Sequence, residues 1–248
     1  MKKNVKILLL MASVFLCQCT LSTKNNTQKK PDSNRFETEI VAENLNQPMA
    51  MDILSDGRVL FVEKGGAIKV FNPSTYEINT IADIPVNTRY NQPFTTSGSK
   101  YDADDGMHGV VIDPDFDLNN YIYLYYSPES EDPKSVIARY KWMGDSLDMD
   151  SKKILLEWKT QRERCCHLGG GMIFDQDGNL LVAVGGNSGF SIEDQYGDPR
   201  RTAGNTYDLR GSILRIHPES NGTYTIPEGN LFSKSMSKAR PEIYIMGV

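Results

Sequence analysis

The 248-residue chain is 39% hydrophobic and 24% charged, the composition of a globular protein long enough for one large domain or two small ones. Its net charge of −5 offers no concentrated basic surface, which excludes nucleic acid as the expected partner and favours a small or neutral one.

Residues 1–19 read as a signal peptide of lipoprotein type. Lys2, Lys3 and Lys6 precede the apolar run Ile7–Leu16, which is too short to cross a bilayer and fits an export signal. Cys19, with Leu16 three residues before it and a polar tract after it, is the candidate lipidation site, although Gln18 is atypical; simple cleavage and release is the alternative. The expected location is therefore the periplasm or, through a lipid anchor, a membrane surface. Residues 20–35 are mostly Lys, Asn, Thr, Ser, Gln and Pro, and read as a disordered tether.

Folded sequence is expected over 36–248, where a weak repeat recurs at intervals of roughly sixty residues. Its copies are Asp52–Glu63, Val111–Tyr125 and Met172–Ala183, each a short apolar strand, a turn rich in Asp, Gly or Asn, and a second strand of β-branched and aromatic residues. No stretch of useful length has helical periodicity. The fold class is all-β, with propeller blades favoured over a sandwich because hairpins recur with long connections between them. Two connections, Asn87–Asp105 and Gly189–Asp208, interleave Tyr90, Phe94, Tyr101, Tyr196 and Tyr207 with Arg, Asp and Asn. They read either as a grip for a polar ring-shaped ligand or as solvated insertions.

Of four cysteines, Cys17 would leave with the signal and Cys19 would carry lipid, so the domain retains only the adjacent pair Cys165 and Cys166. In an oxidising compartment they form a vicinal disulfide or remain two buried thiols. The Cys-Cys-His run has no second ligand pair at zinc-finger spacing, and no metal ligand is assigned.

Five stretches carry a resemblance to the glucose/sorbosone dehydrogenase family: Leu45–Met51 with Asp56-Gly57 and Glu63; Asp104-Asp-Gly-Met-His-Gly109 running into Asp113-Pro-Asp-Phe116; Cys166-His-Leu-Gly-Gly170 with Asp177-Gly178; Leu209–Ile216 with Ile226–Asn230; and Arg240-Pro-Glu-Ile-Tyr244 with Gly247. The resemblance implies a six-bladed β-propeller, incomplete here with about half of its blades, that holds pyrroloquinoline quinone (PQQ) and calcium at its axial face. It implies an oxidoreductase that passes a hydride from a sugar or polyol to the quinone, with an external electron acceptor downstream. His167 is then the catalytic base, since an imidazole titrating near neutral pH suits proton abstraction from a hydroxyl. Asp104 is the substrate-binding position, where the glucose enzymes carry an amide. The alternative is a non-catalytic propeller that binds carbohydrate or protein.

Two departures from the family stand out. Where an acidic residue commonly precedes and orients the histidine, this chain has Cys166. The sequence also stops at Val248, where the family continues into an Arg-Asn-Pro segment, so most ligands of PQQ and calcium are expected beyond it, the quinone-binding residues are unknown, and the fragment is expected to be inactive alone.

Other constellations carry less. Asp113–Asn119 has alternating oxygen ligands but lacks the Gly and Glu of a calcium loop, and reads as a blade turn. Gly169–Gly171, read as a Gly-rich turn, lacks a phosphate loop's Lys and suits close backbone approach near the axis. His108, in a Gly-Met-His-Gly turn, and His217 are expected to be structural. Arg162, Arg164, Arg200 and Arg201 either neutralise a quinone carboxylate or solvate loops. No Ser-His-Asp or His-Glu-x-x-His arrangement is present.

Overall fold

Each repeat copy folds as the first two strands of an antiparallel sheet, four-stranded for the first two copies and five-stranded for the third. The computed structural model describes residues 30, 32–89, 104–163, 167–188 and 198–248. The first sheet runs β1 (Pro48–Ile53), β2 (Val59–Glu63), β3 (Ala67–Asn72) and β4 (Glu77–Asp83) in sequence order. The second repeats that order with β5 (Met107–Ile112), β6 (Tyr121–Tyr126), β7 (Lys134–Met143) and β8 (Ser146–Lys159). The third joins β9 (Gly169–Phe174), β10 (Leu180–Val184) and β11 (Ser212–Pro218); β11 pairs further with β12 (Tyr224–Thr225) and β13 (Ile243–Met246). The first strands pack in series, β1 against β5 and β5 against β9, so the three meanders are consecutive blades around an axis. Residues 40–248 make up this unit; the described residues at 32–39 are exposed.

The turns between these first two strands show why the Asp-rich copies recur. In the second blade Asp113 Oδ1 accepts from the Asp115 N–H and from Asn119 Nδ2, both at 2.9 Å, while its Oδ2 accepts from the Tyr123 hydroxyl at 2.7 Å. In the third, Asp175 Oδ1 accepts from the N–H groups of Asp177 and Asn179, both at 2.9 Å. Both carboxylates are occupied in closing a turn on the backbone, the use for which short acidic side chains are suited. The Asp113–Asn119 segment is thus a blade turn, and contains a single helical turn, α1 (Phe116–Asn119).

Strand β6 alternates between two cores. Ile122, Leu124 and Tyr126 pack with Leu60, Val62 and Ile68 of the first blade, whereas Tyr123 and Tyr125 pack with Leu180, Val182 and Leu214 of the third. Both faces are covered, so period-2 alternation there separates neighbouring blades, not core from solvent. Each buried Leu, Ile or Val contributes about 1.5–3 kcal/mol relative to exposure. The outer blades each leave an apolar face open: Met51 and Ile53 on β1 are 66% and 59% exposed, and Ile173 on β9 is 65% exposed.

Two segments read as turns are strands. Met107–Gly109 begins β5 and Gly169–Gly171 begins β9, because the two innermost strands meet there almost backbone to backbone. A Cβ on Gly109 would lie 2.2 Å from the Gly170 carbonyl oxygen, so only glycine permits this approach.

Candidate functional site

Strands β5 and β9 touch near their first residues, where Gly109 meets Gly170. Asp104 lies three residues before β5 and is half-buried; His167 lies two before β9 and is exposed. His167 has φ 61°, a left-handed backbone that histidine visits only with support. Support comes from the segment after β10. The Asn187 N–H donates to the His167 carbonyl at 2.9 Å, and the Gly185 N–H donates to the Leu168 carbonyl at 3.1 Å. Gly185 is required at its position, since a Cβ there would fall 2.0 Å from the His167 carbonyl oxygen. Beneath the loop, the buried Tyr125 hydroxyl donates to the Leu168 carbonyl, and burial raises this phenol far above its ordinary pKa, keeping it a donor.

The imidazole of His167 is oriented by a backbone group. Its Nδ1 lies 3.1 Å from the Ser188 carbonyl oxygen. A carbonyl only accepts, so the contact is a hydrogen bond when Nδ1 carries a proton, and in the neutral form of that tautomer the lone pair is on Nε2. That contact comes from a main-chain carbonyl of the 187–188 segment.

Arg162 does not solvate a loop. It is buried, with Nε 2.7 Å from Asp105 Oδ2 and Nη1 donating to the Ser130 carbonyl at 2.7 Å. Asn87 Nδ2 donates to the same carboxylate oxygen at 2.7 Å. Burial pushes the Asp105 carboxyl above its ordinary pKa despite the opposing pull of Arg162 and Asn87. Arg200 and Arg201 extend into solvent beside Asp198; hydrogen bonding from Arg200 holds that carboxyl below the usual range.

His108 and His217 lie on strands of the second and third blades. His217 Nδ1 lies 3.1 Å from Asn179 Oδ1 in the third blade. His108 is buried on β5 edge-to-face with Tyr125, ring centroids 5.4 Å apart, and burial together with the Lys64 charge lowers its pKa to about 4. The folded chain therefore keeps His108 neutral where an unfolded histidine, with pKa about 6.5, binds a proton, and acidification favours unfolding in that window. Between pH 7 and pH 4 this group should remove roughly 3 kcal/mol of stability. Urea unfolding of wild type and His108→Gln at both pH values checks it: the variant should lose less stability on acidification, and equal losses would remove His108 as the cause.

A cleft of about 460 Å³ lies between the second and third blades, lined by Lys134, Glu157, Tyr207 and Arg210 among others, and does not include His167. Two ion pairs lie along it, Lys134 with Glu157 at 3.0 Å and Arg210 with Asp208 at 2.6 Å. Among the described residues no group of three or more His, Cys, Asp or Glu side chains could hold a metal ion, and no helix is long and apolar enough to cross a membrane. Cys19, Cys165, Cys166, Arg164, Tyr90, Phe94, Tyr101 and Tyr196 lie outside the described residues.

Sequence reading missed Asn187, Gln161, Asp105 and Tyr125 as supports of the site. An Asn after Gly185-Gly186 at a strand end is a legible sign of positive φ; the partners of Asp105 and Tyr125, many residues away, leave no local sign.

Comparison with known proteins agrees with this architecture. Aldose sugar dehydrogenase YliI of Escherichia coli (strain K12) is 25% identical over 213 residues, which cover 85% of this chain and 50% of that protein. The crystal structure of a putative oxidoreductase (glucose dehydrogenase) from Thermus thermophilus superposes with a TM-score of 0.64 at 26% identity, covering 83% of this chain and 53% of that one. The PQQ-bound aldose sugar dehydrogenase of Streptomyces coelicolor shares the fold, with a TM-score of 0.60 at 19% identity over 84% of this chain and 52% of that one. The chain thus spans about half the length of these relatives. Residues 45–248 match the family described as Glucose / Sorbosone dehydrogenase, and the chain belongs to that family.

Proposed function

We propose that this chain is the base-bearing part of an exported, quinone-dependent sugar or polyol dehydrogenase. The observation that carries the reading is His167, exposed ahead of β9 with Nδ1 committed to the Ser188 carbonyl. Such a ring presents Nε2 as the basic nitrogen, and Nε2 accepts the proton of the substrate hydroxyl as its carbon gives up a hydride. PQQ, when bound, supplies the chemistry of accepting that hydride; it is a cofactor named for a structural relative. Asp104 accepts a hydrogen bond from a neighbouring sugar hydroxyl. The described residues fit one part of a quinone site, the base, and offer no cation cluster for calcium. Calcium and most quinone ligands are proposed to come from other residues of the full-length protein, so that the chain alone is inactive. An external acceptor reoxidises the quinone, a lipid at Cys19 tethers the protein to a membrane, and a Cys165–Cys166 bridge stiffens the turn ahead of His167.

Reconstituting the full-length protein with PQQ and calcium and assaying dye reduction across aldoses and polyols tests the reading. Reduction with at least one sugar, dependent on added quinone, is expected. A folded protein that reduces dye with none of them would favour a non-catalytic carbohydrate- or protein-binding propeller.

A further inference from the structure

The support of His167 is not limited to one carbonyl. Asn187 sits beside it with φ 47° and is 3% exposed. Its backbone N–H holds the His167 carbonyl at 2.9 Å, and the next residue supplies the carbonyl that holds Nδ1. A flexible segment could not fix a ring in this way, so the geometry requires the 187–188 segment itself to be anchored. Asn187 provides the anchor through both side chain and main chain: its Oδ1 accepts from the Gln161 N–H at 2.6 Å, and its backbone carbonyl accepts from Gln161 Nε2 at 3.1 Å. Gln161 is buried and adjoins Arg162, itself fixed by Asp105. These bonds tie the end of the second blade to the segment that orients the ring.

We propose that Asn187 is a positioning residue for His167, clamped by Gln161 so that the Ser188 carbonyl selects the imidazole tautomer with Nδ1 protonated. Asparagine suits the position because it tolerates left-handed backbone while its side chain reaches a neighbouring main chain. Glycine would keep the backbone, including the carbonyl that Gln161 Nε2 reaches, but lose the side-chain half of the clamp. Aspartate would keep the acceptor for the Gln161 N–H. The importance of the tautomer for turnover rests on the proposed role of His167 as base; the positioning itself does not.

The test is the long-range proton–nitrogen NMR spectrum of the histidine side chains in the full-length protein, near pH 8, with His167 assigned by the peaks lost in His167→Gln. Wild type should show His167 as the Nδ1–H tautomer. Asn187→Gly should move its two ring nitrogens toward a mixture of tautomers, Gln161→Ala should move them less in the same direction, and Asn187→Asp should retain the wild-type pattern. Unchanged His108 and His217 peaks certify the fold in each variant. Loss of those peaks in Asn187→Gly transfers the decision to Gln161→Ala. A wild-type His167 protonated on Nε2, or a wild-type pattern in the folded variants that weaken the clamp, overturns the proposal. Absence of sugar oxidation with the tautomer shifts intact would remove the dehydrogenase role and leave the positioning in place.

Discussion

His167→Gln should lower turnover of the full-length, quinone-reconstituted protein by roughly 10²–10⁴-fold, the span seen when a general base is removed. That range corresponds to about 3–5 kcal/mol of lost transition-state stabilisation. Glutamine reaches a similar distance but carries no basic nitrogen, so a substrate hydroxyl would still be contacted and not deprotonated. The loss should therefore fall on kcat more than on KM. Folding should change little, because the ring is exposed and the carbonyl contact from Asn187 belongs to the backbone. His167→Asn, whose side chain tolerates left-handed backbone, separates strain from chemistry: it should fold like wild type and be as impaired as His167→Gln. Steady-state kinetics and thermal unfolding of both variants provide the check.

Arg162→Met should be the most damaging of the substitutions considered to stability, by about 3–5 kcal/mol, because it leaves a buried carboxylate without its cation. Both side chains of the pair are nearly inaccessible, at 5% for Arg162 and 1% for Asp105. Arg162 also satisfies the Ser130 and Pro128 carbonyls, which methionine cannot do. The double variant Asp105→Asn with Arg162→Met removes the uncompensated charge and should be more stable than Arg162→Met alone. Urea unfolding at neutral pH measures all three proteins. A loss below about 1 kcal/mol for Arg162→Met would mean that the pair is hydrated and behaves as a surface ion pair.

The blades were legible in the sequence because their signals are local. Aspartate-rich turns close through bonds spanning two to six residues, as from Asp113 to Asp115 and Asn119, so the repeat survives in a one-dimensional reading. The position of His167 ahead of a glycine-rich inner strand was legible for the same reason. The glycines themselves were misread as a turn because their cause lies in another blade, where β5 leaves no room for a side chain. Arg162 was misread for a similar reason. Its partner Asp105 is 57 residues away, and a lone arginine in a polar stretch looks like a solvated one until that carboxylate is placed beside it. The carbonyl that orients His167 belongs to the backbone of Ser188 and has no residue-type signature at all.

The most direct test of the account is chemical rescue at position 167. His167→Gly should accept the φ of 61° without strain and leave space where the imidazole was. In the full-length protein loaded with PQQ and calcium, sugar-dependent dye reduction by this variant should fall by at least about 10²-fold and recover in proportion to added free-base imidazole. Turnover within about threefold of wild type without imidazole would contradict the account, since a base worth 10²-fold or more could not then reside at His167.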